Sequence, residues 1–482
     1  MNNKTSWGVI GMGVMGTNLS RNFANQGIQI ALYNRFVRGS EENIALKKSK
    51  KYPELNSALT FESLDLFVAA LQGPRKILIM LPAGPVVDKI INDLIPLLSK
   101  KDILIDGGNS HYKDTEKRSI SLSEKGIQFL GIGVSGGEAG ALKGPSLMVG
   151  GDLKAYQIIS KDLVKIAAKD VNGQSCCEYL GSGGAGHYVK MVHNGIEYAE
   201  MQLIAEIFEI LLSDADTNFQ SIQNLFKSWQ KSSSESYLLG ISAEILLYKK
   251  DSVPYINGIL DQASNKGTGA WATASGALIG SPNSLMASAL HARLTSSSKS
   301  LRKKYSKEYP CMASNSNTSL PNLKKTYDIC RWINHHQGFE MIRQAEDAYK
   351  WNINLVKVAQ VWSEGCIIKS KLIDQLKLMF QDTSSIMEMN PLKTLVSQGQ
   401  KEWSDVLIYC IKKGIPAPCI SSAWNYFKAI TQARSSAYLI QAQRDFFGAH
   451  GFELVDQKGD KKNSWSLGRK ELIFYPSYRS NF

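Results

Sequence analysis

Short apolar runs separated by helix-like stretches open the chain: Trp7–Ile10, Ile28–Tyr33, Ile77–Leu81 and Ile103–Ile105 read as strands, with helical composition over Thr17–Gln26 and Val86–Leu98. Continuous apolar strands alternating with helices predict a parallel sheet covered on both faces. From about Tyr179 the period changes to 3.6, over Met201–Ser213, Ile241–Tyr248, Cys330–Trp351 and Lys357–Met379, which predicts a helical second part. An echo of Glu200-Met201 and Ala205-Glu206 in Glu340-Met341 and Ala345-Glu346 suggests a duplicated helical unit. Leu439–Phe447 reads as a last helix, and the residues beyond it are too polar to form a core of their own, so they are expected to wrap around a partner subunit. The expected architecture is an α/β Rossmann-type doubly wound domain over residues 1–178, a large all-α domain over 179–433 and a C-terminal tail over 434–482.

Between the first strand and first helix stands Gly11-Met12-Gly13-Val14-Met15-Gly16. In that setting G-x-G-x-x-G signals dinucleotide binding: the first glycine makes the tight turn, the second admits the pyrophosphate, and the third lets helix and strand pack closely. The second strand ends in Tyr33-Asn34-Arg35-Phe36, with Arg38 nearby, where an NAD enzyme would carry Asp or Glu. A guanidinium there favours a 2′-phosphate, so NADP is the expected cofactor. The later strands end in Leu81-Pro82-Ala83-Gly84 and Asp106-Gly107-Gly108-Asn109-Ser110, beyond the carboxyl edge where such sheets bind ligands, which makes Leu81, Pro82, Ala83 and Asn109 candidates. The glycine-dense Ser135-Gly136-Gly137 could cradle a carboxylate or phosphate with backbone amides.

In His187–Tyr198, helical geometry at about 100° per residue gathers Lys190, His193, Asn194, Glu197 and Tyr198 within an arc of roughly 140°, opposite Val192, Ile196, Ala199 and Leu203. The pattern alone fits a solvated amphipathic face as well as a site.

Composition narrows the classes. The 482 residues are 43% hydrophobic and 21% charged, as in ordinary globular proteins. Neither a signal-peptide pattern nor a run long enough to span a membrane is present, so a cytosolic location without membrane attachment is expected. Seven scattered cysteines without zinc-like spacing imply reduced structural thiols and no metal site. The net charge of +13 favours anionic ligands. Its basic runs, Lys47–Lys51 and Lys299–Lys304, lack interleaved aromatics and fit no nucleic-acid module; solvated loops are expected there.

Taken together, Gly-Val-Met-Gly (13–16), Ile-Asp-Gly-Gly-Asn-Ser (105–110), Gly-Val-Ser-Gly-Gly-Glu (133–138), Gly-Pro-Ser-Leu-Met (144–148), Val-Lys-Met-Val-His-Asn-Gly-Ile-Glu-Tyr (189–198), Gly-Cys-Ile-Ile (365–368) and Ile-Gln-Ala-Gln-Arg-Asp-Phe-Phe-Gly-Ala-His (440–450) resemble the 6-phosphogluconate dehydrogenase family. The resemblance implies NADP-dependent oxidative decarboxylation of 6-phosphogluconate to ribulose 5-phosphate, without a metal. It implies Lys190 as general base and Glu197 as general acid, with the sugar acid held by Asn109, Ser135, Gly136, Gly137, His193, Asn194, Tyr198, Lys266 and Arg293. Arg444 and His450 would reach in from the neighbouring subunit of a homodimer, and Asn34 and Arg35 would meet the 2′-phosphate. Departures are Gly13 for Ala, Phe36 for Thr, and Ala270 for Lys in Gly267–Trp271. The alternatives are another β-hydroxyacid dehydrogenase, which should lack Arg444 and His450, and a non-catalytic NADP- or nucleic-acid-binding scaffold.

Overall fold

The computed structural model describes residues 4–264, 267–310, 320–455 and 464. Eight strands form one sheet: β1 (Trp7–Ile10), β2 (Ile30–Tyr33), β3 (Leu59–Phe61), β4 (Lys76–Ile79), β5 (Ile103–Asp106), β6 (Gln128–Ser135), β7 (Ser146–Gly151) and β8 (Cys177–Gly181). Their order is β3-β2-β1-β4-β5-β6-β7-β8, and every neighbouring pair is parallel except β6 with β7. The alternation of side chains divides the core between the two faces. Val9, Leu78, Ile103 and Ile105 pack on one, and Ile10, Ile77, Ile79 and Leu104 on the other. The sheet ends at Gly181, three residues past the expected boundary, because β8 pairs with β7 there through a register shift.

The helix Ala185–Leu212 is the spine of the second part, and the helix Lys324–Tyr349 packs along it. Both are buried nearly all round, and a buried ion pair joins them: Arg331 donates to Glu200 (3.0 Å) and also to the Ser234 carbonyl (3.0 Å). The echoed glutamates differ in setting, since Glu200 is buried in that pair whereas Glu340 meets Arg343 nearer the surface. The stretch expected to be helical over Lys357–Met379 is broken into Leu355–Trp362 and Lys371–Met379, because Gly365 adopts a left-handed φ of 68° and its backbone seats against Ser146 and Gly136. The basic runs are helical rather than looped, within Ile44–Lys51 and Lys299–Glu308; Lys299 and Arg302 pair with Asp261.

The chain forms two compact units, Met1–Trp424 and Asn425–Phe482, so the sheet and the long helices belong to one body. In the second unit the helix Ala437–Gly448 leads into a turn in which Asp445 accepts from the Gly451 amide (2.8 Å) and the Ser464 hydroxyl (2.7 Å). The six described cysteines are free and buried. Among the described residues no helix is long and apolar enough to cross a membrane.

Candidate active site

Two adjoining clefts lie at the carboxyl edge of the sheet and share Gly13, Met80, Leu81 and Pro82 in their walls. The first, about 690 Å³, runs from the glycine turn over Ala83 and Asn109 to Asn194, Glu197, Tyr198 and Arg293 on the helical side. The second, about 870 Å³, lies beside Asn34, Arg35, Phe36 and Glu41.

The glycine turn is built for close approach. A Cβ on Gly16 would collide with the Gly11 carbonyl, while one on Gly13 would meet nothing. Gly13 caps the helix Val14–Asn25 with no side-chain partner, so the amides of its first turn are open to an anion. Asn34 fixes the turn from below: its Oδ1 accepts from the Met12 amide (3.1 Å). These features fit a dinucleotide, with the pyrophosphate on the helix N-terminus.

Buried Asp106 shapes the Asn109 loop. Its carboxylate accepts from the Gly108 amide (3.0 Å), the Ser110 hydroxyl (2.6 Å) and Arg118 (3.1 Å). Arg118 also grips Asp88 (2.6 Å) and the Gly84 carbonyl (3.3 Å), tying the loops after β4 and β5 together and leaving Asn109 exposed in the cleft.

On the helical side, Asn194, Glu197 and Tyr198 stand on the cleft wall, and Lys190, His193 and Ser135 are buried in the adjoining layer. The helix can lie this close to β6 because residue 133 is glycine: a Cβ there would overlap that of Lys190. His193 Nε2 is 3.2 Å from the Ser135 hydroxyl, and its Nδ1 is 3.1 Å from Asn194 Oδ1 and 3.8 Å from Glu197. Burial, reinforced by the charge of Lys190, holds His193 neutral, with its pKa well below the ordinary value. Burial also lowers the Lys190 pKa against the opposing attraction of Glu197, and raises that of Glu197 against the attraction of Lys190 and Arg293. A lysine shifted toward neutrality on the same helix as a carboxyl shifted toward protonation is the kind of pairing that general acid–base chemistry uses. The Arg293 guanidinium lies over the Tyr198 ring, 3.5 Å from its centroid.

The chain matches two family descriptions: the NAD binding domain of 6-phosphogluconate dehydrogenase over residues 6–181, and the 6-phosphogluconate dehydrogenase C-terminal domain over 186–465. The chain belongs to the 6-phosphogluconate dehydrogenase family. Among relatives named "6-phosphogluconate dehydrogenase, decarboxylating", that of Chlamydia muridarum is 38% identical over 474 residues, covering 96% of this chain and 98% of that protein. That of Escherichia coli (strain K12) is 37% identical over 470 residues, 96% and 99% respectively. A solved structure of Plasmodium falciparum 6-phosphogluconate dehydrogenase, described in apo form, with its cofactor NADP+ and with its substrate 6-phosphogluconate, is 32% identical with a TM-score of 0.89, covering 95% of this chain and 99% of that one.

Within this family framework the expected positions fall into groups. Gly13, Val14, Met15, Gly16, Leu81, Pro82, Ala83, Asn109, Asn194, Glu197, Tyr198 and Arg293 share the first cleft, and Gly11, Met12, Asn34, Arg35 and Phe36 line the second. Gly136 and Gly137, both at positive φ, begin the helix Gly137–Lys143 but are not on either wall. Lys266 lies outside the described residues. Arg444 and His450 belong to the second unit, where both are exposed and Arg444 donates to Gln441 (3.2 Å). Sequence reasoning missed Trp271, which lines the first cleft edge-on to His111 (5.1 Å), and Glu41 in the second. Trp271 stood within the quoted Gly267–Trp271 string and was readable from it; Glu41 carried no motif.

Proposed function

We propose that this chain catalyses the NADP-dependent oxidative decarboxylation of 6-phosphogluconate to ribulose 5-phosphate and CO2, with Lys190 as general base and Glu197 as general acid. The observation carrying the reading is the buried Lys190 and the cleft-wall Glu197, two turns apart on one helix that faces a dinucleotide-shaped cleft, with opposed pKa shifts that suit both tasks. Residues 1–178 act as the cofactor domain, 179–433 carry the substrate site and dimer interface, and 434–482 form the tail that serves the partner.

The first-turn amides after Gly13 hold the pyrophosphate, Asn34 and Arg35 the 2′-phosphate, and Leu81, Pro82 and Ala83 flank the nucleotide. NADP supplies the acceptor for the hydride that leaves substrate C3. Neutral Lys190 takes the C3 hydroxyl proton as the carbonyl forms, and the resulting ammonium then donates to that carbonyl oxygen. Polarised in this way, the β-keto acid loses CO2 and leaves an enediol. Glu197, held protonated by burial, delivers a proton to substrate C2, which becomes C1 of ribulose 5-phosphate, while Lys190 takes back the enediol hydroxyl proton. His193, neutral and hydrogen-bonded through Nε2 to Ser135 and through Nδ1 to Asn194, belongs to the sugar-acid site with Ser135, Asn109, Asn194, Tyr198, Arg293, Gly136, Gly137 and Lys266.

Arg444 and His450 act on the neighbouring subunit's substrate in a cytosolic homodimer. Exposed Tyr438, Leu439, Ile440, Phe446 and Phe447 on the helix Ala437–Gly448, which carries Arg444 and precedes His450, support this reading, because so much exposed apolar surface calls for a partner. The test is turnover of 6-phosphogluconate with NADP, read at the reduced-nicotinamide band together with CO2 release. Well-folded protein giving neither signal would reject the assignment.

A further inference from the structure

The second cleft carries a carboxylate among the donors that would hold the nucleotide. Glu41 Oε1 accepts from Arg35 Nη2 (2.7 Å) and Nε (3.1 Å), and Glu41 Oε2 accepts from Asn34 Nδ2 (2.9 Å). All three donors aim at a single anion. The placement is built into the backbone: Val37 and Glu41 bond to each other in both directions (3.0 and 2.8 Å), closing a tight turn that brings the glutamate back over the end of β2. Asn34 cannot rotate away at no cost, since its Oδ1 is committed to the Met12 amide. A 2′-phosphate and the Glu41 carboxylate seek the same N–H groups, and two anions cannot share them without repulsion.

On the reading that the cofactor is NADP, we infer that Glu41 is a specificity-determining residue, competing with the nucleotide 2′-phosphate for Asn34 and Arg35 and thereby reducing the preference for NADP over NAD. A ribose bearing only a 2′-hydroxyl imposes no such conflict, because a carboxylate can accept from that hydroxyl. Phe36, half-exposed on the same cleft wall, supplies no hydroxyl to compensate. The pair is solvent-exposed, which screens the effect to a modest size.

The experiment is calorimetric titration of the full-length protein with 2′,5′-ADP and with 5′-AMP, for wild type, Glu41→Gln and Arg35→Ala, each checked for an unchanged circular-dichroism melt. Glu41→Gln is expected to tighten 2′,5′-ADP about fivefold, the size of an exposed ion-pair effect plus relief of like-charge repulsion, and to change 5′-AMP by less than about twofold. Unchanged or weakened 2′,5′-ADP binding in Glu41→Gln would overturn the inference, the latter by making Glu41 a support for Arg35. Equal tightening of both ligands would overturn it too. Arg35→Ala distinguishes the failures: if wild type does not prefer 2′,5′-ADP to 5′-AMP and Arg35→Ala changes neither, the NADP reading falls and takes this inference with it.

Discussion

Replacing Lys190 with methionine separates the chemistry from everything else the site does. Methionine fills a similar apolar volume, so the layer against Gly133 stays packed. On the proposed mechanism the variant loses the base for the C3 hydroxyl and the ammonium that polarises the carbonyl. One general acid–base group contributes about 10²–10⁴ in rate, and with two consecutive roles on one nitrogen the loss should reach at least about 10³, or about 4 kcal/mol of barrier. Stability moves the other way. Burial lowers the Lys190 pKa, so between the unfolded value of about 10.4 and the folded one the unfolded chain binds a proton that the native site gives up. Wild-type stability therefore falls as pH drops through that window, by as much as about 1.4 kcal/mol per pH unit. The methionine variant lacks this slope. The assays are turnover, NADP titration monitored by tryptophan fluorescence, for which Trp271 in the cleft is a reporter, and urea unfolding at several pH values below the free-lysine value of about 10.4. Turnover above about a tenth of wild type, loss of NADP binding, or an unchanged pH slope of stability would each refute the reasoning.

Arg35→Asp should weaken NADP far more than NAD, since it removes two guanidinium donors and adds a charge; equal weakening in binding titrations would remove Arg35 from the 2′-phosphate site. An equimolar mixture of Arg444→Ala and Lys190→Met subunits, unfolded and refolded together, should regain about a quarter of wild-type activity if each tail serves the neighbouring subunit's site, because random pairing puts half the chains in hybrids with one intact site in two; activity no greater than the sum of the separate variants would argue against shared sites. Acid should destabilise the fold: His187, His193, His335 and His336 are all held by burial below their ordinary pKa, so each takes up a proton on unfolding as pH falls below about 6.5. Glu206, pushed up to about 7, and Glu197, also raised, release protons on unfolding and oppose this. The histidines outnumber the raised carboxyls, so stability should fall as pH drops from about 7 to about 5.5, and a flat urea-stability profile over that range would contradict it. Glu206→Ala should cost about 2–4 kcal/mol, because its carboxylate accepts from the buried Cys419 (2.8 Å) and Ile420 (2.9 Å) amides; chemical denaturation measures it.

What could be read along the chain was what neighbours in sequence dictate. The strand, glycine turn and helix at Trp7–Asn25 obey local rules, and so does the spacing that puts Lys190, Asn194 and Glu197 on one face. Whether that face meets water is decided by residues about sixty positions away. Gly133 permits contact with Lys190, and Ser135 receives His193, so the face that a helical wheel assigns equally well to solvent is enclosed. The break at Gly365 was hidden for the same reason, since the 3.6 period of Lys357–Met379 continues through it and the residues that seat its left-handed backbone, Gly136, Gly144, Ser146 and Ala168, lie far away in sequence. Glu41 is the sharper case. It sits seven residues from Asn34, in a turn with no motif, whereas the dinucleotide rule places the deciding acid at the strand end, where Arg35 stands. The rule that acid means NAD and arginine means NADP assumes a single residue facing the ribose. Here the turn returns an acid onto the arginine, so the preference depends on how far the carboxylate yields to a phosphate, a balance set by the Val37–Glu41 bridge and the fixed Asn34 amide. Loosening that turn should therefore shift the preference toward NADP even with Glu41 retained. Gly39 has a φ of 78° within it, and Gly39→Val, which strains that conformation, should raise the ratio of 2′,5′-ADP to 5′-AMP affinity; an unchanged ratio would show that the carboxylate yields without help from the backbone.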